Sequence, residues 1–253
     1  MLMRDESRGE EQNEIAKQPL SLFHPLRSFC PQCHKTIPWY FNLPLVSFLL
    51  LRGRCKFCRA PIPLSYFFIE SMSLAMGLII FAIYGRNLQS YGLQSLGLEG
   101  YGLMLLGWAL LTLACIDLKF YILPDQITIP FLWLGLLLNA FELYVPANQA
   151  IFGAAMGYVS LWAVYWLYFL LRRKEGLGFG DFKLLALAGA WGGWTLVLPS
   201  LLLASLAALV CNLPMLIKKQ YQQPIPFGPY LALAIWLLLV FPEWQNYFYT
   251  LRE

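Results

Sequence analysis

The chain has 253 residues, 59% of them hydrophobic and only 13% charged, with a formal net charge of +4 and a mean hydropathy of +0.58. Soluble domains carry about 25% charged residues, so this composition excludes an ordinary soluble protein. The small positive charge is read, from the side on which the basic residues fall, as a mark of topology in membrane lipid and not of a nucleic-acid partner.

Residues 1–18 are polar and of mixed charge, without the apolar core of a signal peptide, and residues 1–21 read as a mobile arm. The next feature is a pair of knuckles, "CPQC" (Cys30, Cys33) and "CKFC" (Cys55, Cys58), separated by 21 residues. Two C-x-x-C pairs at about this spacing bring four thiolates to one tetrahedral zinc ion, as in zinc ribbons. A pair of disulfides is the competing reading, and it conflicts with the reducing cytoplasm in which the loop is predicted to lie. His24 and His34 stand nearby as bystanders, because four cysteines already fill the shell. The apolar run 41–51, "FNLPLVSFLLL", is too short to span a bilayer and is interrupted by Pro44. It is expected at the interface or against the zinc site.

Spans follow at roughly 65–84, 100–116, 126–144, 150–171, 182–193, 195–217 and 229–242. Each approaches the length that crosses a bilayer, about 20 residues, although the fifth and seventh are short. Sixteen Lys and Arg fall before the first span or in the even-numbered returns, against two, Arg86 and Arg252, on the opposite side. Cytoplasmic loops carry the excess of basic residues, so the N-terminus and the loops near 117–125, 172–181 and 218–228 face the cytoplasm. Cys115 and Cys211 sit singly in apolar spans and are expected as packed core thiols. The whole predicts an all-α polytopic membrane protein, with about seven transmembrane helices and an N-terminal cytoplasmic zinc-ribbon-like loop.

Ionisable groups at membrane depth are costly and are read as functional. Asp181 in "GLGFGDFK" opens the fifth span, where the positive end of a helix favours a carboxylate. Gly176, Gly178 and Gly180 before it permit a tight bend and close approach of a second segment. Asp117 closes the second span. One out-and-back hairpin separates the two aspartates, so they return to the same membrane face. Two carboxylates sharing a site hold one proton between them, the machinery for activating water against a peptide bond. Each also has a plainer reading: Asp117 as an interfacial acid, Asp181 as a partner of Lys183. Asp125, after Pro124, is favoured as a helix N-cap over a catalytic role. Glu70, about a turn and a half into the first span, has no obvious partner. The proline- and glycine-rich stretch 218–230 either lines the site or simply starts the last span.

Four segments in this order, "CPQCHKTIPWYFNLPLVSFLLLRGRCKFCRAPI", "DLKFYILPD", "GLGFGDFKLLALAGAWGG" and "IPFGPYLA", resemble the type IV prepilin peptidase family of GxGD-type membrane aspartyl proteases. The resemblance runs from about Leu22 to Leu239. It implies a catalytic pair at Asp117 and Asp181, with Gly178, Gly180, Lys183 and Asp125 in support. It implies an enzyme of the bacterial inner membrane, its active site toward the cytoplasm. That enzyme cuts the basic leader from prepilins and pseudopilins after a glycine, in pilus biogenesis and type II secretion. Many members then N-methylate the new N-terminus with S-adenosylmethionine, a reaction associated with the cysteine loop and zinc. Members normally open with a further transmembrane helix, and Met1 stands beyond that point. The implied organisation is an arm (1–21), a four-cysteine zinc-binding region (22–64), a transmembrane peptidase domain (65–242) and a tail (243–253). An ion-coupled transporter using Asp117 and Asp181 as a proton relay is the rival, although no internal repeat of the two halves is visible. A zinc-bearing scaffold would leave the aspartates unexplained.

Overall fold

The computed structural model describes residues 28–85, 97–173, 178–217 and 225–243. The predicted arm at 1–21, His24, Gly176, positions 218–224 of the proline-rich stretch and nearly all of the tail lie outside these residues. The described residues form α-helices and no strand. The chain divides into two units, Met1–Ser71 and Met72–Glu253.

In the first unit the two cysteine knuckles are copies of one another, offset by 25 positions. The Cys30 amide donates to the Lys35 carbonyl and the Ile37 amide to that of Ser28; the Cys55 amide donates to Ala60 and the Ile62 amide to Gly53. Bridges Phe29–Thr36 and Arg54–Pro61 close the two loops, and His34 and Arg59 take matching positive φ values of 52° and 57°. Between the knuckles the apolar run forms a short 3-10 turn, Trp39–Phe41, and one helical turn and a half, α1 (Val46–Leu50). Leu45, before α1, is held at φ 60°, and its amide donates to Glu70 Oε2 at 2.8 Å. Glu70 therefore has a partner that its sequence neighbourhood did not suggest. It lies on α2 (Leu64–Tyr84), which begins directly after Pro63.

The second unit holds α3 (Gly97–Phe120), α4 (Asp125–Ala140), α5 (Ala147–Arg172), α6 (Phe179–Gly192), α7 (Trp194–Ile217) and α8 (Gly228–Val240). By length and composition α2, α3, α5 and the segment Trp194–Leu213 of α7 can cross a membrane. Their outward faces carry exposed leucines and aromatics such as Leu167, Leu170, Leu198, Leu202 and Trp162, as a helix facing lipid must. Cys211 is exposed on α7 and Cys115 only partly buried on α3. The expectation of two core thiols is thus corrected: a thiol is apolar enough to face lipid as readily as a core.

The shorter helices are explained by α6. At 1.5 Å per residue its 14 residues reach only about 21 Å, less than the roughly 30 Å of a hydrocarbon layer. It does not need that length, because α4, α5, α7 and α8 all pack on it and every residue from Asp181 to Gly192 except Lys183 is buried. A helix apolar all round is a core helix. α5 is small where it approaches α6: a Cβ on Gly153 would lie 2.5 Å from the Gly193 carbonyl carbon, and one on Gly157 2.5 Å from the Leu185 oxygen. "GAAMG" in α5 is therefore a small-residue contact of the GxxxG kind.

Both ends of α6 are defined. Gly193, at φ 73° and ψ −178°, a conformation essentially confined to glycine, turns the chain into α7. Buried Asn139 ties the exit of α4 to the same point. Its Nδ2 donates to the carbonyls of Ala190 and Trp191, while its Oδ1 accepts the amides of Tyr144 and Val145. These bonds satisfy carbonyls that a helix end leaves open, and α4 stops at Ala140, short of the predicted 144.

Candidate active site and metal centre

Asp117 lies in the last turn of α3, where its own helix offers the unfavourable negative end of the dipole. The compensation comes from α8. The Gly228 amide, at the first residue of that helix, donates to Asp117 Oδ2 at 3.0 Å in a buried bond. Pro229 follows in the first turn, where its missing N–H costs nothing. Asp181 sits in the first turn of α6, whose N-cap is Gly178. Each carboxylate thus stands at a helix N-terminus, the end that favours negative charge.

Both aspartates are buried, with 6% and 8% of their surface exposed. Leu123, in the turn after α3, connects their surroundings. A Cβ on Gly180 would come within 2.8 Å of Leu123 Cβ, and one on Gly228 within 3.3 Å of Leu123 Cδ1 and 2.6 Å of Asp117 Oδ2. Gly178 is different: its Cβ would meet only Asp181 Oδ2, at an ordinary 3.6 Å.

Lys183 does not pair with Asp181. Its Nζ donates to both oxygens of Asp125, at 2.6 and 2.7 Å. Asp125 is not the N-cap of α4 either; Pro124 holds that position and no side chain caps the helix. The correction has a simple cause: the ammonium brought across from α6 is a stronger partner for the carboxylate than the α4 amides. The pair is partly exposed, so it contributes no more than about 1 kcal/mol. Asp125→Asn is accordingly expected to leave cleavage within a few-fold of normal. Asp125→Lys should lower activity further, by placing two ammonium groups together, and adding Lys183→Asp should restore most of the loss. A double variant no better than Asp125→Lys alone would show that the pair does not connect α4 and α6.

In the first unit the four cysteine sulfurs all lie within 4.8 Å of one another, and Cys30 Sγ and Cys58 Sγ are 3.8 Å apart. Four sulfurs at about 2.3 Å from a tetrahedral zinc would be separated by about 3.8 Å. The Cys33 and then the Gln32 backbone amides hold the Cys30 thiol down to about 6. For Cys58 the Ala60 amide acts downward, but burial and the Cys55, Cys33 and Cys30 sulfurs prevail and push the thiol up to about 11. Such crowding of sulfurs is what a bound cation relieves.

Gly228 lies in the stretch 218–230, for which the sequence leaves both lining the site and starting the last span open; it does start α8, and its amide also reaches Asp117. Leu123 and the Gly153/Gly157 contact are not singled out by the sequence analysis: "GAAMG" is a signal for the second, whereas a filler side chain such as Leu123 leaves no mark in a motif.

A helical membrane protein with two buried carboxylates at helix ends and a separate four-cysteine cluster belongs to a narrow class. Residues 104–213 match the Type IV leader peptidase family and residues 12–84 the Bacterial Peptidase A24 N-terminal domain. The prepilin leader peptidase/N-methyltransferase of Stutzerimonas stutzeri is 41% identical over 253 residues, covering 96% of this chain and 83% of the relative. Those of Pseudomonas aeruginosa and Aeromonas hydrophila are both 42% identical, over 219 and 231 residues, covering 85% and 90% of this chain and 72% and 76% of the relatives. No solved structure matches the chain. The chain belongs to the type IV leader peptidase family.

Proposed function

We propose that the protein is a prepilin leader peptidase and N-methyltransferase, with Asp117 and Asp181 as the catalytic pair. The observation that supports the peptidase reading is a pair of buried carboxylates on α3 and α6 whose neighbouring glycines both face Leu123, with the Gly228 amide fixing Asp117. The pair acts as a unit holding one proton. One carboxylate takes a proton from water as its oxygen attacks the carbonyl carbon, and the other protonates the carbonyl oxygen. Collapse of the tetrahedral intermediate breaks the C–N bond; the leaving amine takes the proton held by the first carboxylate, and the second recovers its proton from the gem-diol hydroxyl as the carboxyl product forms. The relatives' names leave the transporter reading without support.

The substrate is a prepilin or pseudopilin, whose basic leader stays at the cytoplasmic face of the inner membrane while its apolar helix enters the bilayer, beside lipid. The excess of basic residues on one side supports that orientation. Incubating the purified protein with a prepilin in detergent tests the reading. The mass of the product reports both loss of the leader and gain of a methyl group from S-adenosylmethionine. An intact substrate after long incubation would refute the peptidase.

Cys30, Cys33, Cys55 and Cys58 would hold one structural zinc, which fixes the two knuckles at one point; the zinc-binding region is assigned to 22–64 and the peptidase domain to 65–242. Protein purified without chelators is expected to contain one zinc per chain, and Cys→Ser at any of the four to lower that content sharply. Thiols must lose protons to bind, so affinity is expected to rise with pH. Below about pH 6 the dependence should steepen by about one proton, because Cys30 then also has to be deprotonated. Metal analysis finding no zinc, or an affinity indifferent to pH, would remove the assignment.

A further inference from the structure

Asp117 is held by the amide of the first residue of α8, so whatever fixes the start of α8 also fixes that carboxylate. Tyr230 lies two residues beyond Gly228 in the same first turn, its ring packed against the core. Its hydroxyl oxygen accepts a hydrogen bond from Asn212 Nδ2 of α7 at 3.0 Å. Asn212 is buried near the end of an apolar span, where an amide is costly unless its hydrogens are bonded. Asn212 Nδ2 also donates to the Ala208 carbonyl, one turn back on α7, at 2.7 Å. The amide is thus steadied on its own helix while it reaches the tyrosine. With only 13 residues, α8 packs on both α3 and α7. Asp117 ties its first residue to α3, and Asn212 ties its third to α7.

We propose that Asn212 and Tyr230 are positioning residues for the peptidase, their bond holding the start of α8 so that the Gly228 amide stays on Asp117. This rests on the reading of Asp117 as catalytic. Bonds between helices contribute modestly to the fold of a membrane protein, so the loss of this one should appear in rate before it appears in stability. In the full-length protein, Tyr230→Phe removes the hydroxyl and keeps the ring. Its kcat for prepilin cleavage in detergent is expected to fall about tenfold, within the ~10²-fold that a displacement of about 1 Å can cost. KM should be unchanged and the thermal melt close to that of the parent. Asn212→Leu, of similar size but without a donor, should lose the same amount, and the double variant no more than either. Added to Gly228→Ala, which already displaces the amide, Tyr230→Phe should cost little further. An unaltered kcat in Tyr230→Phe would overturn the proposal. So would a raised KM at unchanged kcat, which marks a substrate contact, or losses that multiply with that of Gly228→Ala. A loss of kcat that disappears at a temperature where both variants stay folded would make the bond a stabilising one alone. Failure of the catalytic reading looks different: Asp117→Asn would cleave at the parent rate, whatever these variants do.

Discussion

Asp117→Asn and Asp181→Asn are each expected to reduce cleavage of a prepilin by at least about 10³-fold, the scale of positioned proton transfer. Asparagine keeps the shape of the side chain but can neither take a proton from water nor hand one to a carbonyl. The double variant should be no worse than either single one, because residues that act as a unit lose their whole effect when one member is removed. Asp117→Asn keeps an oxygen to accept the Gly228 amide, so the start of α8 should hold and the variant should melt near the parent. The measurement is initial rate in detergent beside a thermal melt. An active Asp117→Asn with a dead Asp125→Asn would mean that the pair has been assigned to the wrong aspartate.

Gly228→Ala is the second large effect. The added Cβ would lie 2.6 Å from Asp117 Oδ2, 3.1 Å from its Cγ and 3.3 Å from Leu123 Cδ1. Neither the short aspartate at the end of α3 nor the first residue of α8 can withdraw without lengthening the bond between them. Displacing a catalytic group by about 1 Å can cost on the order of 10²-fold in rate, and that loss is expected here, with about 1–3 kcal/mol of stability from overpacking. Gly180→Ala should also be harmful, because its Cβ would stand 2.8 Å from Leu123 Cβ. Gly178→Ala should be mild, since that position has φ −78° and nothing closer than 3.6 Å. Comparing rates for the three alanine variants decides the matter. A Gly178→Ala variant worse than Gly228→Ala would show that flexibility before α6, and not the Gly228 contact, is what the site requires.

The physical origin of these expectations divides between chain and fold. Composition alone determines that this is a membrane protein, since so few charges and so many long apolar runs cannot be kept in water. The two C-x-x-C pairs mark a four-sulfur cluster, because each knuckle is a local turn closed by an amide, of His34 or Arg59, donating to the carbonyl of its first cysteine. Glycines immediately before an aspartate at the mouth of an apolar segment mark a carboxylate at a helix start, again a local property. What depends on residues distant in the chain was open until the helices packed. Lys183 has two aspartates within reach of a sequence argument, and only the approach of α4 to α6 selects Asp125. Asp117 lies 111 residues from the amide that holds it, and a backbone N–H is the same at every position but proline. The fifth apolar run reads as a short membrane span, yet its neighbours bury it on every side, so its length answers to protein packing and not to bilayer thickness. Local geometry is set by spacing along the chain; the choice among equivalent partners is made by tertiary contact.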